Sequence, residues 1–235
     1  MASDARDDSD TPPRADDCAQ VEPEKKRAGY QDVLDAPPNM VAEVVGGALY
    51  THPRPAPPHA RASSRLGVRL GAPFDSDRGG SSGPGGWWLI DEPELHLGED
   101  IVVPDLAGWR RENMPEFPDA AYFSQAPDWA CEVLSPSTRA LDKGPKQAIY
   151  ARESVTHLWF VDPDARTLGA YALRGGRYTL IGKRSGDDPV SLPPFDAIEF
   201  SLADLWPPAD TGSEQHPIRP DPRGGPRRLA RHRQS

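Results

Sequence analysis

The sequence predicts an α/β fold, a mixed β-sheet flanked by helices, with added β-hairpins and disordered termini. Three observations predict it. Short apolar runs bounded by turn residues recur between residues 40 and 181 and read as strands. Two longer stretches, near residues 59–70 and 145–153, read as helices. Residues 1–28 and 208–235 show no apolar period: the first is an acidic arm rich in Asp, Pro and Glu, the second a Pro/Arg-rich tail. The folded domain is therefore expected over residues 29–207 of the 235.

Composition narrows the function. A hydrophobic fraction of 37% and 28 prolines fit one domain with tails better than a wholly folded chain. The net charge of −9 gives no global attraction to nucleic acid, so any such surface must be local. Cys18 and Cys131 fall in a polar tail and a core strand, which argues against a disulfide and for a reducing compartment. The first ten residues, MASDARDDSD, lack the basic and apolar regions of a signal peptide, and no apolar run approaches the roughly 18 residues of a membrane span. A soluble, cytoplasmic protein is expected.

In chain order, Tyr30 to Leu34 suits a single helical turn closed by Pro37-Pro38. Met40–Val45 and Ala48–Thr51 flank Gly46-Gly47, the pattern of a tight hairpin that carries Glu43 and His52. After a proline-rich connector, His59 to Leu70 has apolar residues at helical spacing and arginines at 61, 65 and 69, four apart along one face. Arg78 to Gly86 reads as a loop. Strands are expected at Trp87–Ile90, Glu94–Leu97, Ile101–Asp105, Trp129–Leu134 and His157–Val161, with a polar excursion from Trp109 to Asp128. A helix over Pro145–Glu153 would hold Pro145 in its first turn. Thr167–Leu173 and Arg177–Ile181 flank Gly175-Gly176 as a second hairpin, and Phe195–Trp206 closes the domain.

The chemistry centres on Glu132. It interrupts the apolar run Trp129–Leu134, and a carboxylate there needs a partner or a cation. Asp105 stands at the end of the expected upstream strand, and Lys146 follows on the expected helix with Tyr150 four residues on, sharing its face. Two acids on neighbouring strands with a lysine close by suit a divalent-metal phosphodiesterase. Asp105 and Glu132, with the backbone carbonyl of Val133, would offer Mg²⁺ or Mn²⁺ the oxygen ligands it prefers. Lys146 would orient the attacking water or stabilise developing charge. A buried ion pair from Glu132 to Arg139 or Arg152 is the purely structural alternative. Many metal nucleases carry a lysine two residues after the acid; here that position is Leu134. His52 and His59 lack zinc-site spacing, and no phosphate-binding loop, nucleophile elbow or CxxC pair is present.

Glu43 before Gly46-Gly47, His59, Pro104-Asp105, the run Glu132-Val133-Leu134-Ser135-Pro136-Ser137-Thr138, Asp142, Lys146, Tyr150 and His157-Leu158-Trp159-Phe160-Val161-Asp162-Pro163 together resemble the Uma2 family of restriction-endonuclease-like proteins. The resemblance spans about Tyr30 to Trp206. It implies the PD-(D/E)XK nuclease fold, an active-site set of Asp105, Glu132 and Lys146, and Glu43, His59 and Tyr150 lining the site. It further implies a Mg²⁺-dependent endonuclease acting on DNA, for which a homodimer would let two sites address two strands. Two alternatives stand beside it. One is a catalytically silent nucleic-acid or partner-binding module that uses the arginine row and the basic tail, and the other a hydrolase of small phosphoesters.

Overall fold

The computed structural model describes residues 26–76 and 83–208; most of the expected acidic arm and of the Pro/Arg tail, Cys18 and part of the 78–86 loop lie outside the described residues. At the centre is a six-stranded sheet ordered β10-β9-β8-β7-β6-β3. Its strands are β3 (Trp87–Asp91), β6 (Leu106–Arg110), β7 (Trp129–Val133), β8 (His157–Asp162), β9 (Thr167–Arg174) and β10 (Arg177–Ser185). β7 and β8 run parallel and every other neighbouring pair is antiparallel, so the sheet is mixed.

Both faces of this sheet are covered, which explains why its middle strands read as continuous apolar runs. Trp129, Cys131 and Val133 of β7 and Trp159 and Val161 of β8 join one core. Ala62, Leu66, Leu70 and Phe74 of α2 (Pro57–Phe74), at a spacing of four, pack into that core together with Phe195, Leu202 and Trp206 of the closing segment. Ala130, Leu158 and Phe160 face the opposite core with Leu141, Ile149 and Tyr150. Glu132 falls in the register of Ala130, so its side chain is directed to this second side.

A smaller antiparallel sheet, ordered β2-β1-β5-β4, lies against the second core, to which its residues Val45, Leu95, Leu97 and Val102 belong. It comprises β1 (Met40–Val45), β2 (Ala48–Pro53), β4 (Leu95–Leu97) and β5 (Asp100–Val102). The β1–β2 turn places Gly46 and Gly47 at φ of 61° and 77°, a left-handed pair that glycine adopts without penalty. The turn between β9 and β10 repeats it. Short strands β11 (Pro189–Val190) and β12 (Phe200–Ser201) pair beside a 3₁₀ turn over Leu202–Leu205, and α1 (Tyr30–Leu34) is the expected single turn. Among the described residues, no helix is long and apolar enough to cross a membrane.

Two local expectations are corrected. The strand drawn over Ile101–Asp105 is split: β5 ends at Val102 in the smaller sheet, and the neighbour of β7 is β6, so Trp109 and Arg110 belong to the sheet and not to the excursion. Pro104 has no N–H to extend β5, and the Asp105 side chain takes the Val133 N–H at 2.7 Å where a ladder carbonyl would otherwise accept it. The helix drawn from Pro145 begins earlier. α3 (Arg139–Leu141), a π-helical turn over Asp142–Lys146, and α4 (Gln147–Arg152) follow one another directly. The wider π turn houses Pro145, which cannot donate to the helix ladder. Lys146 therefore sits inside a helical run, and its position is explained by the acids around it and not by a helix N-terminus.

A candidate active site of buried carboxylates around one lysine

The site forms where the smaller sheet, the ends of β6 and β7, and the π turn converge. β6 pairs with β7 at Leu106↔Cys131, and continuing that register one step sets Asp105 beside Glu132. The structure thus brings the two acids together, Asp105 from the residue before β6 and Glu132 from β7. From β1, Glu43 reaches across to accept the Val103 N–H at 2.8 Å.

Lys146 occupies the centre. Its Nζ lies 2.9 Å from Glu43 Oε1, 2.9 Å from Glu132 Oε1 and 3.6 Å from Asp142 Oδ1, and donates to the Val103 carbonyl at 3.2 Å. Tyr150, one turn along the same face, donates its hydroxyl to Glu132 Oε1 at 2.6 Å. Glu43, Glu132, Asp142 and Lys146 are each at most 3% exposed, so these charges interact through a poorly screening medium.

One ammonium serves three buried acids, and the titration of each group follows from that count. Burial opposes the charge on Lys146, but Glu132 and Glu43 outweigh it and hold the amine well above its ordinary range. Burial pushes the Glu132 carboxyl well up; Lys146 pulls it down, and Asp142, Asp105 and Glu43 push it up again. Asp142 is raised for the same reasons, burial first. The Tyr150 hydroxyl is driven far up by burial and by Glu132. Lys146 stays charged, one cation beside three acids.

His59, from the first turn of α2, completes the wall. Its Nε2 lies 3.3 Å from Asp105 Oδ1, and its buried Nδ1 has no hydrogen-bond partner among the described residues. Burial alone would lower the His59 imidazole; the Asp105 carboxylate and the Val133 backbone more than offset it and leave His59 above its ordinary value. A cavity of about 300 Å³ connects Glu43, His59, Asp105, Glu132 and Lys146. Tyr150 is fully buried behind it. All six sequence-selected residues are thus assembled around one point.

Asp142 and His52 also line this cavity but were not selected as site residues from the sequence. Asp142 could have been found as the acid one helical turn before Lys146. His52, 3.6 Å from Glu43 Oε2, had no such signal, because β-pairing brings it there. The structural alternative for Glu132 loses its arginines: Arg139 pairs with Asp162 at 2.7 Å, and Arg152 with Asp100 at 2.9 Å and Glu153 at 2.7 Å. The arginine row on α2 is also largely committed. Arg69 pairs with Asp204 at 2.8 Å and Arg65 donates to the Asp204 carbonyl at 3.4 Å, tying α2 to the closing segment.

The donor set is one a hard divalent cation prefers: carboxylate oxygens in excess of the local positive charge. Among the described residues, no three His, Cys, Asp or Glu side chains stand ready as a metal-ligand group.

A mixed sheet covered on both faces, with acids and a lysine gathered at its strand ends, defines a restriction-endonuclease-like α/β domain. The chain belongs to the Uma2 family, whose model, described as "Putative restriction endonuclease", matches residues 21–203. Among solved structures it is similar to "a putative nuclease belonging to DUF820" from Anabaena variabilis, with a TM-score of 0.61 and 21% identity over 76% of this chain and 97% of that one. That likeness is one of fold. No match is found among curated proteins.

Proposed function

We propose that this protein is a divalent-metal-dependent endonuclease that hydrolyses phosphodiester bonds in DNA. The observation that carries the reading is the convergence of Asp105, Glu132 and Lys146 on one cavity, with acids in excess of cations. The family description supplies the substrate class. Asp105 and Glu132, with the Val133 carbonyl, would hold Mg²⁺ or Mn²⁺. Such an ion, when bound, polarises a phosphoryl oxygen and acidifies a ligated water.

The protein's own groups divide the remaining work. Lys146 is held as an ammonium, so it serves as a fixed positive charge toward the oxygens that become more negative in the transition state, not as a proton acceptor. Its contacts with Glu43 and Glu132, and the Tyr150 hydroxyl on Glu132, restrict the Glu132 carboxylate to one orientation. His59 orients Asp105 from the other side. Because the lysine comes from the helix and not from β7, Leu134 is free to pack in the second core.

The test pairs metal binding with cleavage. The unmodified chain should bind Mg²⁺ or Mn²⁺ by calorimetry and nick supercoiled DNA, whereas Glu132→Gln and Asp105→Asn should lose both. Full cleavage by both variants, or metal-independent cleavage by the unmodified chain, would end the proposal.

A further inference from the structure

The cavity has an acidic lining and one exposed arginine at its rim. Glu43, Glu92, Asp105, Glu132 and Asp142 all line it, and its lysine is enclosed among acids. A phosphodiester approaching that mouth meets repulsion unless a cation is available at the edge. Arg54 is such a cation. It follows β2 in the connector to α2, lines the cavity, and leaves 60% of its side chain exposed.

Arg54 is held by a weak partner. Its Nη1 lies 3.0 Å from Glu92 Oε2 across the rim, and the Glu92 side chain is itself 40% exposed. Solvent-exposed pairs of this kind contribute little, so a phosphate can displace the carboxylate at small cost. Glu92, in contrast, is anchored through its backbone. It adopts φ of 44°, in the left-handed region that a non-glycine residue seldom occupies, and its N–H donates to the Asp105 carbonyl at 3.1 Å. The backbone of the acid half is thereby tied to the segment that carries Asp105, while the arginine half is the more exposed side chain of the two. The first turn of α2 lines the same mouth and contains no acid, so nothing there opposes an anion.

We propose that Arg54 and Glu92 form an exchangeable latch over the cavity, in which Arg54 leaves Glu92 to bind a backbone phosphate of the substrate strand next to the bond that is cut. This rests on the nuclease reading above and deepens it: it assigns a phosphate-binding subsite and gives Glu92 the role of a competitor. The arginine's planar fork suits two phosphoryl oxygens at once, so lysine is an incomplete replacement.

The two partners have opposite expected effects on the binding of DNA. Binding of a fluorescein-labelled DNA duplex is measured by anisotropy in EDTA, and cleavage in Mg²⁺, for the unmodified chain, Arg54→Ala, Arg54→Lys and Glu92→Gln. Arg54→Ala should weaken binding by about tenfold and lower the slope of log K against log salt by about 0.9, one phosphate contact. Glu92→Gln should tighten binding by about two- to fivefold, since the competitor is gone, and Arg54→Lys should fall between Arg54→Ala and the unmodified chain. Parallel losses in Arg54→Ala and Glu92→Gln, or no change in either, overturn the latch while leaving the nuclease reading intact if the unmodified chain still cleaves. A chain that neither binds nor cleaves DNA overturns both.

Discussion

Neutralising Glu132 should raise stability while ending activity, and neutralising Lys146 should do the reverse to stability. The sign follows from the charge count. Glu132 titrates well above an ordinary glutamate because burial and the neighbouring Asp142, Asp105 and Glu43 outweigh Lys146. A carboxyl whose folded value is raised favours the fold most below its unfolded value near 4.5 and loses that advantage as pH rises through the folded value. Once ionised, the side chain is thus a net burden. Glu132→Gln removes the charge, keeps an oxygen to accept the Tyr150 hydroxyl, and should leave the fold unchanged to about 2 kcal/mol more stable. Lys146→Met removes the cation shared by Glu43, Glu132 and Asp142 and should lose about 3–5 kcal/mol, a large part of the roughly 5–15 kcal/mol of a typical domain. Urea unfolding at neutral pH in EDTA measures both. If Glu132→Gln destabilises by more than about 2 kcal/mol, the cluster is a balanced ion pair and the excess-charge argument is wrong.

Further outcomes follow from the same geometry. Metal binding should weaken as pH falls, because Glu132 and Asp142 are both raised and protons compete with the cation for their oxygens; calorimetry at a series of pH values should show it. Tyr150→Phe should destabilise by about 1–2 kcal/mol and slow cleavage, as the buried Glu132 oxygen loses a donor at 2.6 Å; denaturation and turnover measured together check it. Gly108→Ala should cost about 1–3 kcal/mol, because an added Cβ would stand 2.8 Å from Leu89 and 3.2 Å from Trp87, read as a lower thermal midpoint. The Asp162 carboxyl, which burial would raise, is held below its ordinary value by Arg139 and the Ala165 N–H. Its stabilisation is present above the unfolded value of about 3.9 and lost as pH falls through the lower folded value, so Asp162→Asn should flatten acid unfolding in that window.

Much of this was legible in the chain because the signals are local. The two Gly-Gly hairpins, the apolar runs of β7 and β8 and the four-residue spacing of Ala62, Leu66 and Leu70 each follow from the geometry of a few adjacent residues. Glu132 stood out because a carboxylate in such a run demands a partner, and that demand is itself local. Identifying the partner required distance. An ion pair to Arg139 or Arg152 stood as the structural alternative, and only the packing of the π turn against β1 and β7 brings Lys146 onto Glu132.

What tertiary structure decided are the features that depend on pairing and on three-dimensional charge balance. That β5 stops at Val102 in one sheet and the chain enters the other at Leu106 could not be read from residues 101–105, since which strands pair is not written in residue type. Lys146 looked like a lysine near a helix start until the π turn placed it inside a run of helix. His52 with Arg54, Glu92 and Asp142 come from three different segments, and nothing in any one of them announces a shared cavity. Local propensity and hydrophobic period specify which elements form and which faces are buried. The number of acids that share one ammonium is a property of how those elements pack.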